Sequence, residues 1–253
     1  MRYKGELQII DVHSHILPGL DDGAKNLEQS KKMLDIAAEQ NIHKIIATPH
    51  FMPEHKNPSK EKVLEKLTKL QEYSDRQGYG ITLLPGQEIY YHEEVPDLLE
   101  EGKIITLANS DYVLVEFSPM DDFRYIRNSL AQIQNVGFKP IIAHVERYEN
   151  ICRKPFNKLK ELRDMGVMIQ VNMASVEGKM GKKLQKSVLS MMKKQYVDLL
   201  GTDAHSDGSR APYTCNCKAI LCRKCPADYI EKLFYKNAEK IIQDGMKHGT
   251  EQQ

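Results

Sequence analysis

The sequence predicts an α/β protein whose parallel strands close into a barrel. Three observations lead there. Seven short apolar runs alternate with helical patterns along the 253 residues, and such alternation builds a parallel sheet. Histidines and carboxylates follow directly on the ends of these runs. They would therefore gather at one end of the sheet, where α/β barrels keep their chemistry. The length is ordinary for a barrel of this kind.

The first run, Ile9 to Val12, is apolar or nearly so on both faces and reads as a short buried strand. It leads into His13-Ser14-His15. Residues i and i+2 of a strand share a face, so the two imidazoles aim together at its C-terminal end or just beyond. Turn residues and the pair Asp21-Asp22 come next. Asn26 to Gln40 reads as a helix, capped by Asn26, with Leu27, Met33, Leu34, Ala37 and Ala38 on its apolar side. Lys44 to Thr48 is the second strand and ends at Pro49-His50. Ser59 to Gln77 is an amphipathic helix with Val63, Leu64, Leu67 and Leu70 at helical spacing and a solvated charged face.

Ile81 to Leu84 forms the third strand and runs into Pro85-Gly86-Gln87-Glu88-Ile89-Tyr90-Tyr91. Tyr112 to Phe117 is the fourth, with Glu116 near its end. The helix Arg124 to Val136 leads to a strand at Pro140 to Ala143, followed by His144. Phe156 to Met165 is a helix, Val167 to Asn172 a strand and Lys182 to Lys194 a helix. Val197 to Thr202 is the seventh strand and delivers Asp203-Ala204-His205. From Pro212 to Lys247 the pattern is helical apart from a break near Cys225-Pro226. With no internal repeat, low-complexity tract or linker, residues 1–253 read as one domain.

Composition narrows the function. Hydrophobic residues make up 41% and charged residues 28%, as in globular proteins with a full core. The net charge of +1 lacks the basic excess of a nucleic-acid binder. No apolar run approaches membrane-spanning length. The start, Met1 to Leu7, is too polar for a signal peptide, so the expectation is a cytoplasmic protein without membrane insertion. Five cysteines, one at position 152 and four between 215 and 225, do not resemble a secreted disulfide framework.

His13, His15, Asp22, His50, Glu88, Glu116, His144, Asp203 and His205 all fall at the same end of the inferred barrel. Random placement would scatter such residues over helices and both ends. Clustered His, Asp and Glu groups are the pattern of a metal site. One zinc takes about four ligands, so these nine suit two or three divalent ions with bridging carboxylates. Nitrogen and oxygen donors without cysteine fit manganese, iron or zinc. Clustered divalent ions favour phosphate-ester hydrolysis, with a metal-bridging hydroxide attacking in line.

The segments IIDVHSHILPGLDDG (9–23), ATPH (47–50), GQEIYY (86–91), LVEF (114–117), IIAHVERY (141–148) and GTDAHSDGSRAPY (201–213) carry a resemblance to the PHP (polymerase and histidinol phosphatase) superfamily. More closely, the chain resembles the bacterial manganese-dependent tyrosine-protein phosphatases of capsule and exopolysaccharide gene clusters. The resemblance spans nearly the whole chain in the family's order. It implies a distorted (β/α)7 barrel, the TIM-like PHP fold, around a trinuclear centre held by the nine residues already collected, with manganese as the metal. It also implies that Arg147 and Arg210 act on the substrate phosphate, for which a planar guanidinium fork is suited. The implied substrate is the phosphorylated tyrosine-rich tail of a membrane-associated bacterial tyrosine kinase that drives polysaccharide export; such a tail is disordered and can enter a barrel-top cleft. No phosphoenzyme is expected, because water is the nucleophile. Histidinol phosphate is the alternative substrate within the superfamily; a PHP-type exonuclease is disfavoured by the charge balance, and a non-catalytic binding module by the full ligand set.

Two departures from the family stand out. The eight residues before Ile9 are an extension. Cys215, Cys217, Cys222 and Cys225 occupy a stretch where relatives have a helix without cysteines. Cys217 and Arg223 share the spacing of a cysteine-phosphatase loop, but that loop needs turn residues to wrap a phosphate and Lys218 to Cys222 contains no glycine. A zinc site from the four cysteines is cramped, since only four residues separate the two pairs. Reduced, partly buried helix cysteines are the expectation. His43, His55 and His92 are expected to be solvated.

Overall fold

The computed structural model describes residues 7–53, 56–152 and 155–251; His55 lies outside them. The sheet strands are β1 (Ile9–Ser14), β2 (Ile42–Ala47), β3 (His50–Phe51), β4 (Thr82–Pro85), β5 (Glu88–Tyr90), β6 (Tyr112–Glu116), β7 (Lys139–Ile142), β8 (Met168–Asn172) and β9 (Leu199–Gly201). The helices are α1 (Leu27–Glu39), α2 (Lys60–Gln77), α3 (Val95–Glu100), α4 (Phe123–Asn135), α5 (Glu149–Cys152), α6 (Pro155–Asp164), α7 (Met173–Glu177), α8 (Lys182–Lys193), α9 (Cys215–Lys224), α10 (Ala227–Glu231) and α11 (Asn237–Glu251).

Local signals set the helix ends. The Asn26 side chain accepts from Gln29 N at 3.0 Å, and the Ser59 hydroxyl caps α2. Each satisfies one of the orphan N–H groups of a first turn. Gly78 stops α2 in the left-handed region at φ 70°, which lacks a Cβ penalty only for glycine.

All strand pairs are parallel. They form a ladder β1-β2-β4 and a ladder β3-β5-β6-β7-β8-β9. Two expected strands are each followed by a further short strand that the sequence pattern does not mark. Pro49 has no N–H to donate and separates β2 from β3, while Gly86-Gln87 separates β4 from β5. Glu88 and Tyr90 therefore lie on a strand, beyond the end expected for the third run. The last expected strand, 197–202, is shorter and comprises Leu199–Gly201 only.

The sheet curls. His15 N donates to Ala204 O at 2.9 Å and Asp203 N to His13 O at 2.8 Å, so the segment after β9 returns to the end of β1. Side chains on one face converge accordingly: Ile10, Ile46, Leu114, Ile141 and Leu199 share one apolar cluster with Ile241 and Ile242 of α11. These residues come from strands spread across the order, and they can meet only inside a concave sheet. α11 packs against this cluster, while His13, His15, Glu116 and Asn172 stand at or just beyond the C-terminal ends of their strands. The opposite face carries Ile9, Ile45, Val113, Val115 and Ile142, packed beneath the helices with Met33, Leu70, Ile126 and Leu159. Among the described residues no helix is long and apolar enough to cross a membrane.

The C-terminal stretch breaks at Cys225-Pro226 as the sequence predicts, but residues 212–214 are not helical, and a π-helical turn at 232–236 joins α10 to α11.

Candidate metal centre

β1 is buried along its whole length. Its pairing with β2 slips between Asp11 and Ser14, and the Asp11 carboxylate turns to the β9 side. Asp11 Oδ1 accepts from Thr202 N at 2.9 Å and His13 N at 3.2 Å, and Oδ2 accepts from the Thr202 hydroxyl at 2.5 Å. Burial raises the Asp11 carboxyl to about 6, against the pull of these donors. The carboxylate thus fastens the end of β1 to the end of β9, the two segments that carry His13, His15, Asp203 and His205.

Both imidazoles of the His13-Ser14-His15 unit reach one point. His13 Nε2 and His15 Nε2 lie 3.2 Å apart, and each is 3.1 Å from Glu88 Oε2 and 3.6 Å from Asp203 Oδ1. His50 Nδ1 stands 3.0 Å from Glu116 Oε1 and 3.3 Å from Glu88 Oε2. His144 Nε2 approaches Glu88 Oε1 at 2.9 Å and Glu116 Oε2 at 3.4 Å. His205 Nε2 and His50 Nε2 lie 3.4 and 3.5 Å from Asp22 Oδ1.

The donor atoms fall into three overlapping groups, each within 4.8 Å: His15, Asp22, His50 and His205; His13, His15 and Glu88; and His50, Glu88 and Glu116. His144 touches the third group and Asp203 the second. The structure therefore brings all nine predicted ligands together. A fourth group in the described residues, Asp111, Asp244 and His248, stands apart and already faces the Lys139 ammonium, 3.0 Å from Asp111 and 3.4 Å from Asp244.

The grouping fits metal ions better than hydrogen bonding alone. His50 Nδ1 is buried and close to two carboxylates, yet neither lies in line for a hydrogen bond. Lone pairs from three residues converge on shared space, as ligand atoms do. Nitrogen and carboxylate donors of this kind suit manganese, iron and zinc.

The site is strongly coupled electrostatically. Burial works against a charged His15, but the carboxylates of Asp21 and Glu88 outweigh it and raise the imidazole to about 10. Burial likewise opposes His144, which Glu116 and Glu88 raise to about 9. Burial opposes the charged forms of Glu88 and Asp203 too, yet His13 and, for Asp203, Arg147 hold both carboxyls below the ordinary range. Burial and repulsion from His15 push His205 down to about 4.

Arg147 and Arg210 converge on a single carboxylate. Arg147 Nη2 donates to Asp203 Oδ2, and Arg210 Nη2 lies 3.1 Å from Asp203 Oδ1. The two guanidiniums therefore flank the centre from the β9 side.

Several positioning groups escape the sequence reading. Asp21, beside the predicted ligand Asp22, is one: its Oδ2 accepts from His15 Nδ1 at 2.7 Å and His50 N at 2.9 Å, and its Oδ1 from Gly23 N at 2.9 Å. Asp22 is 66% exposed. Gly23 permits this turn, because a Cβ there would stand 2.3 Å from His15 O. Gln170 Oε1 accepts from His144 N at 2.6 Å, and Asn172 Nδ2 donates to Asp203 Oδ2 at 2.8 Å. A signal existed: Gln170 and Asn172 are polar residues at i and i+2 on an otherwise apolar strand, so both face the same way.

The cysteines stay apart from this chemistry. Cys217 is buried in α9, and burial, then the Glu177 charge, pushes its thiol well above the ordinary range. That is the opposite of an activated nucleophile. No cysteine joins a potential metal-binding group among the described residues. Tyr91 is buried and its hydroxyl donates to Gln132, so it is a packing residue; Tyr90 is exposed.

Comparison with known proteins agrees with the motifs. A family described as capsular polysaccharide synthesis, CpsB/CapC, matches residues 9–243. The chain is 32% identical over 241 residues to the tyrosine-protein phosphatase CpsB of Streptococcus pneumoniae, covering 93% of this chain and 99% of that protein. It is 30% identical over 237 residues to the tyrosine-protein phosphatase YwqE of Bacillus subtilis, covering 93% and 92%. In three dimensions it is similar to a crystal structure from work on YwqE of Bacillus subtilis and CpsB of Streptococcus pneumoniae, described as unique metal-dependent tyrosine phosphatases. The TM-score is 0.86 at 30% identity, over 93% of this chain and 95% of that one.

Proposed function

The chain belongs to the CpsB/CapC family of capsular polysaccharide synthesis, and from that premise we propose that it is a metal-dependent protein-tyrosine phosphatase. The observation that carries this reading is the set of three overlapping donor groups with two arginines on their border. In this reading His13, His15, Asp22, His50, Glu88, Glu116, His144, Asp203 and His205 hold two or three divalent ions, manganese before iron or zinc. The curled sheet is read as a distorted (β/α)7 barrel, in which β2 with β3 and β4 with β5 each count as one broken strand, and residues 1–253 as one domain.

Divalent ions at such a centre supply Lewis-acid activation of water and of phosphoryl oxygens. The chain's own residues do the rest. Asp21 holds His15 with Nδ1–H bonded, so that Nε2 keeps its lone pair toward the centre. Gln170 and Asn172 fix His144 and Asp203. Arg147 and Arg210, now on Asp203, lie where they can turn to grip phosphate oxygens with charge-assisted bonds. The leaving phenolate has an unperturbed pKa of about 10, so a strong general acid is not required. The substrate in this reading is the phosphotyrosine tail of a membrane-associated bacterial tyrosine kinase of polysaccharide synthesis, met in the cytoplasm.

The test is hydrolysis of a phosphotyrosine peptide by protein purified without chelator, with metal content measured on the same sample. EDTA should abolish turnover and manganese restore it. Full activity in excess chelator, after time for the ions to leave, refutes the metal; turnover of histidinol phosphate in preference to the peptide refutes the substrate.

A further inference from the structure

A cavity of about 350 Å³ opens beside the centre, within the size range of small-molecule sites. Its walls include Asp203, Arg147 and Arg210 together with Lys179, Met180 and Tyr213. Tyr213 is 42% and Met180 59% exposed, and neither belongs to the apolar core. Single exposed apolar residues need no explanation. An aromatic ring and a thioether lining one cavity with two phosphate-type guanidiniums do.

Tyr213 is held in place. Lys179 Nζ sits over its ring at 5.4 Å, and the same ammonium lies 2.8 Å from Glu177 Oε2. Glu177 Oε1 in turn accepts from Cys217 N at 3.2 Å, which ties the group to α9. Tyr213 lies in the loop 202–214 that also carries Arg210, and Ala211 O accepts from Tyr213 N at 2.8 Å. One loop thus brings a guanidinium and an aromatic ring to the same space. Such surfaces suit an aryl ring: rings attract rings in offset or edge contact, and thioether sulfur attracts ring edges.

We propose that this cavity is the aryl subsite of the enzyme, in which Tyr213 and Met180 take the phenyl ring of an aryl phosphate whose phosphate lies at Arg147 and Arg210, with Lys179 as the positioning residue for Tyr213. The inference rests on the phosphatase reading above and deepens it: the site selects aryl over alkyl phosphate monoesters through the ring, before any contact with the rest of a peptide.

The test separates ring from phosphate with two non-hydrolysable probes, phenylphosphonate and methylphosphonate, titrated calorimetrically into manganese-loaded protein. Wild type should bind the phenyl probe more tightly. Tyr213→Leu should shrink that preference by roughly two- to tenfold, the scale of one aromatic contact, and leave methylphosphonate within about twofold. Tyr213→Phe, which keeps the ring, should keep the preference. Equal binding of the two probes by wild type overturns the proposal, as does a Tyr213→Leu preference unchanged or a loss equal for both probes. Turnover of a phosphotyrosine peptide by wild type is measured separately. Ring-dependent binding without turnover keeps the subsite and removes the phosphatase; turnover with ring-independent binding does the reverse.

Discussion

Replacing Asp21 by Asn should weaken metal binding while leaving every proposed ligand in place. In the wild-type protein the carboxylate takes the Nδ1–H of His15 at 2.7 Å and also the backbone N–H groups of His50 and Gly23, both at 2.9 Å. An amide keeps one acceptor oxygen. At the Oδ2 place it keeps His15 and His50 but turns the NH2 on Gly23 N–H; at the Oδ1 place it keeps Gly23 and the NH2 faces His15 Nδ1 and His50 N. In the second arrangement the ring must present a lone pair there and carry its proton on Nε2, the atom 3.1 Å from Glu88 and directed at the centre. The charge that favours the imidazole as an electron donor is also gone. Partners of this kind typically carry ten- to a hundredfold in metal affinity or activity, about 1.4–2.8 kcal/mol. Manganese titration followed by calorimetry, with kcat/KM measured at each metal concentration, should show the affinity lowered by that factor and the rate largely recovered at saturation. An Asp21→Asn variant that binds manganese within about twofold of wild type would refute the assignment of His15 Nε2 to the metal.

Four other outcomes follow from the same geometry. Arg147→Ala and Arg210→Ala should keep metal content and lose roughly ten- to a hundredfold in kcat/KM on a phosphotyrosine peptide, from bonds of about 1.5–3 kcal/mol each; a change within about twofold would make them solvated charges. His13→Ala should lose metal as well as rate, visible as a lower manganese stoichiometry. Cys217→Ser should leave most activity, because the buried thiol stands well above its ordinary range; a trapped phosphocysteine would overturn the mechanism. In metal-stripped protein, His15 and His144 are raised to about 10 and 9, so their contribution to stability is complete below the unfolded value of about 6.5. It is lost as pH rises through 9 and 10, and the stripped Tm should fall across that window more than the manganese-loaded Tm; a stripped Tm that rises instead contradicts the proton-for-metal exchange.

The sequence exposes the centre because two periodicities cooperate there. A strand puts His13 and His15 on one side, and parallel topology puts every strand end at one pole. That is why residues as distant as His15 and His205 could be grouped without any contact being known. The short strand β5 was hidden because nothing in Ile89-Tyr90 separates a short strand from a loop, and tertiary pairing with Leu114 to Glu116 decides it. Two site residues, His144 at φ 31° and Asp203 at φ 51°, occupy the left-handed region. Backbone strain of that kind is imposed by surroundings and concentrates at functional sites; no residue pattern announces it. The choice between Asp21 and Asp22 was equally invisible, since it depends on which carboxylate Gly23 allows beneath His15.

Counting charges explains why metal and substrate belong together. The nine proposed ligands carry four carboxylates, Asp22, Glu88, Glu116 and Asp203, and the border carries two guanidiniums, Arg147 and Arg210. With the imidazoles neutral, as ligands must be, four negative charges against two positive leave the centre at minus two. An excess of that size attracts divalent cations, and in their absence protons on His15 and His144, raised to about 10 and 9, offset it. Two divalent ions turn the minus two to plus two, and three turn it to plus four. Each arginine meanwhile directs Nη2 at Asp203, so those donors turn to phosphate only when that carboxylate is otherwise engaged. The ions therefore would do more than activate water: they give the pocket the positive sign that a phosphate dianion needs, and without them its guanidiniums are partly engaged by Asp203. Metal removal should consequently weaken phosphate binding as well as abolish turnover, because the arginines alone do not supply the charge of the ions.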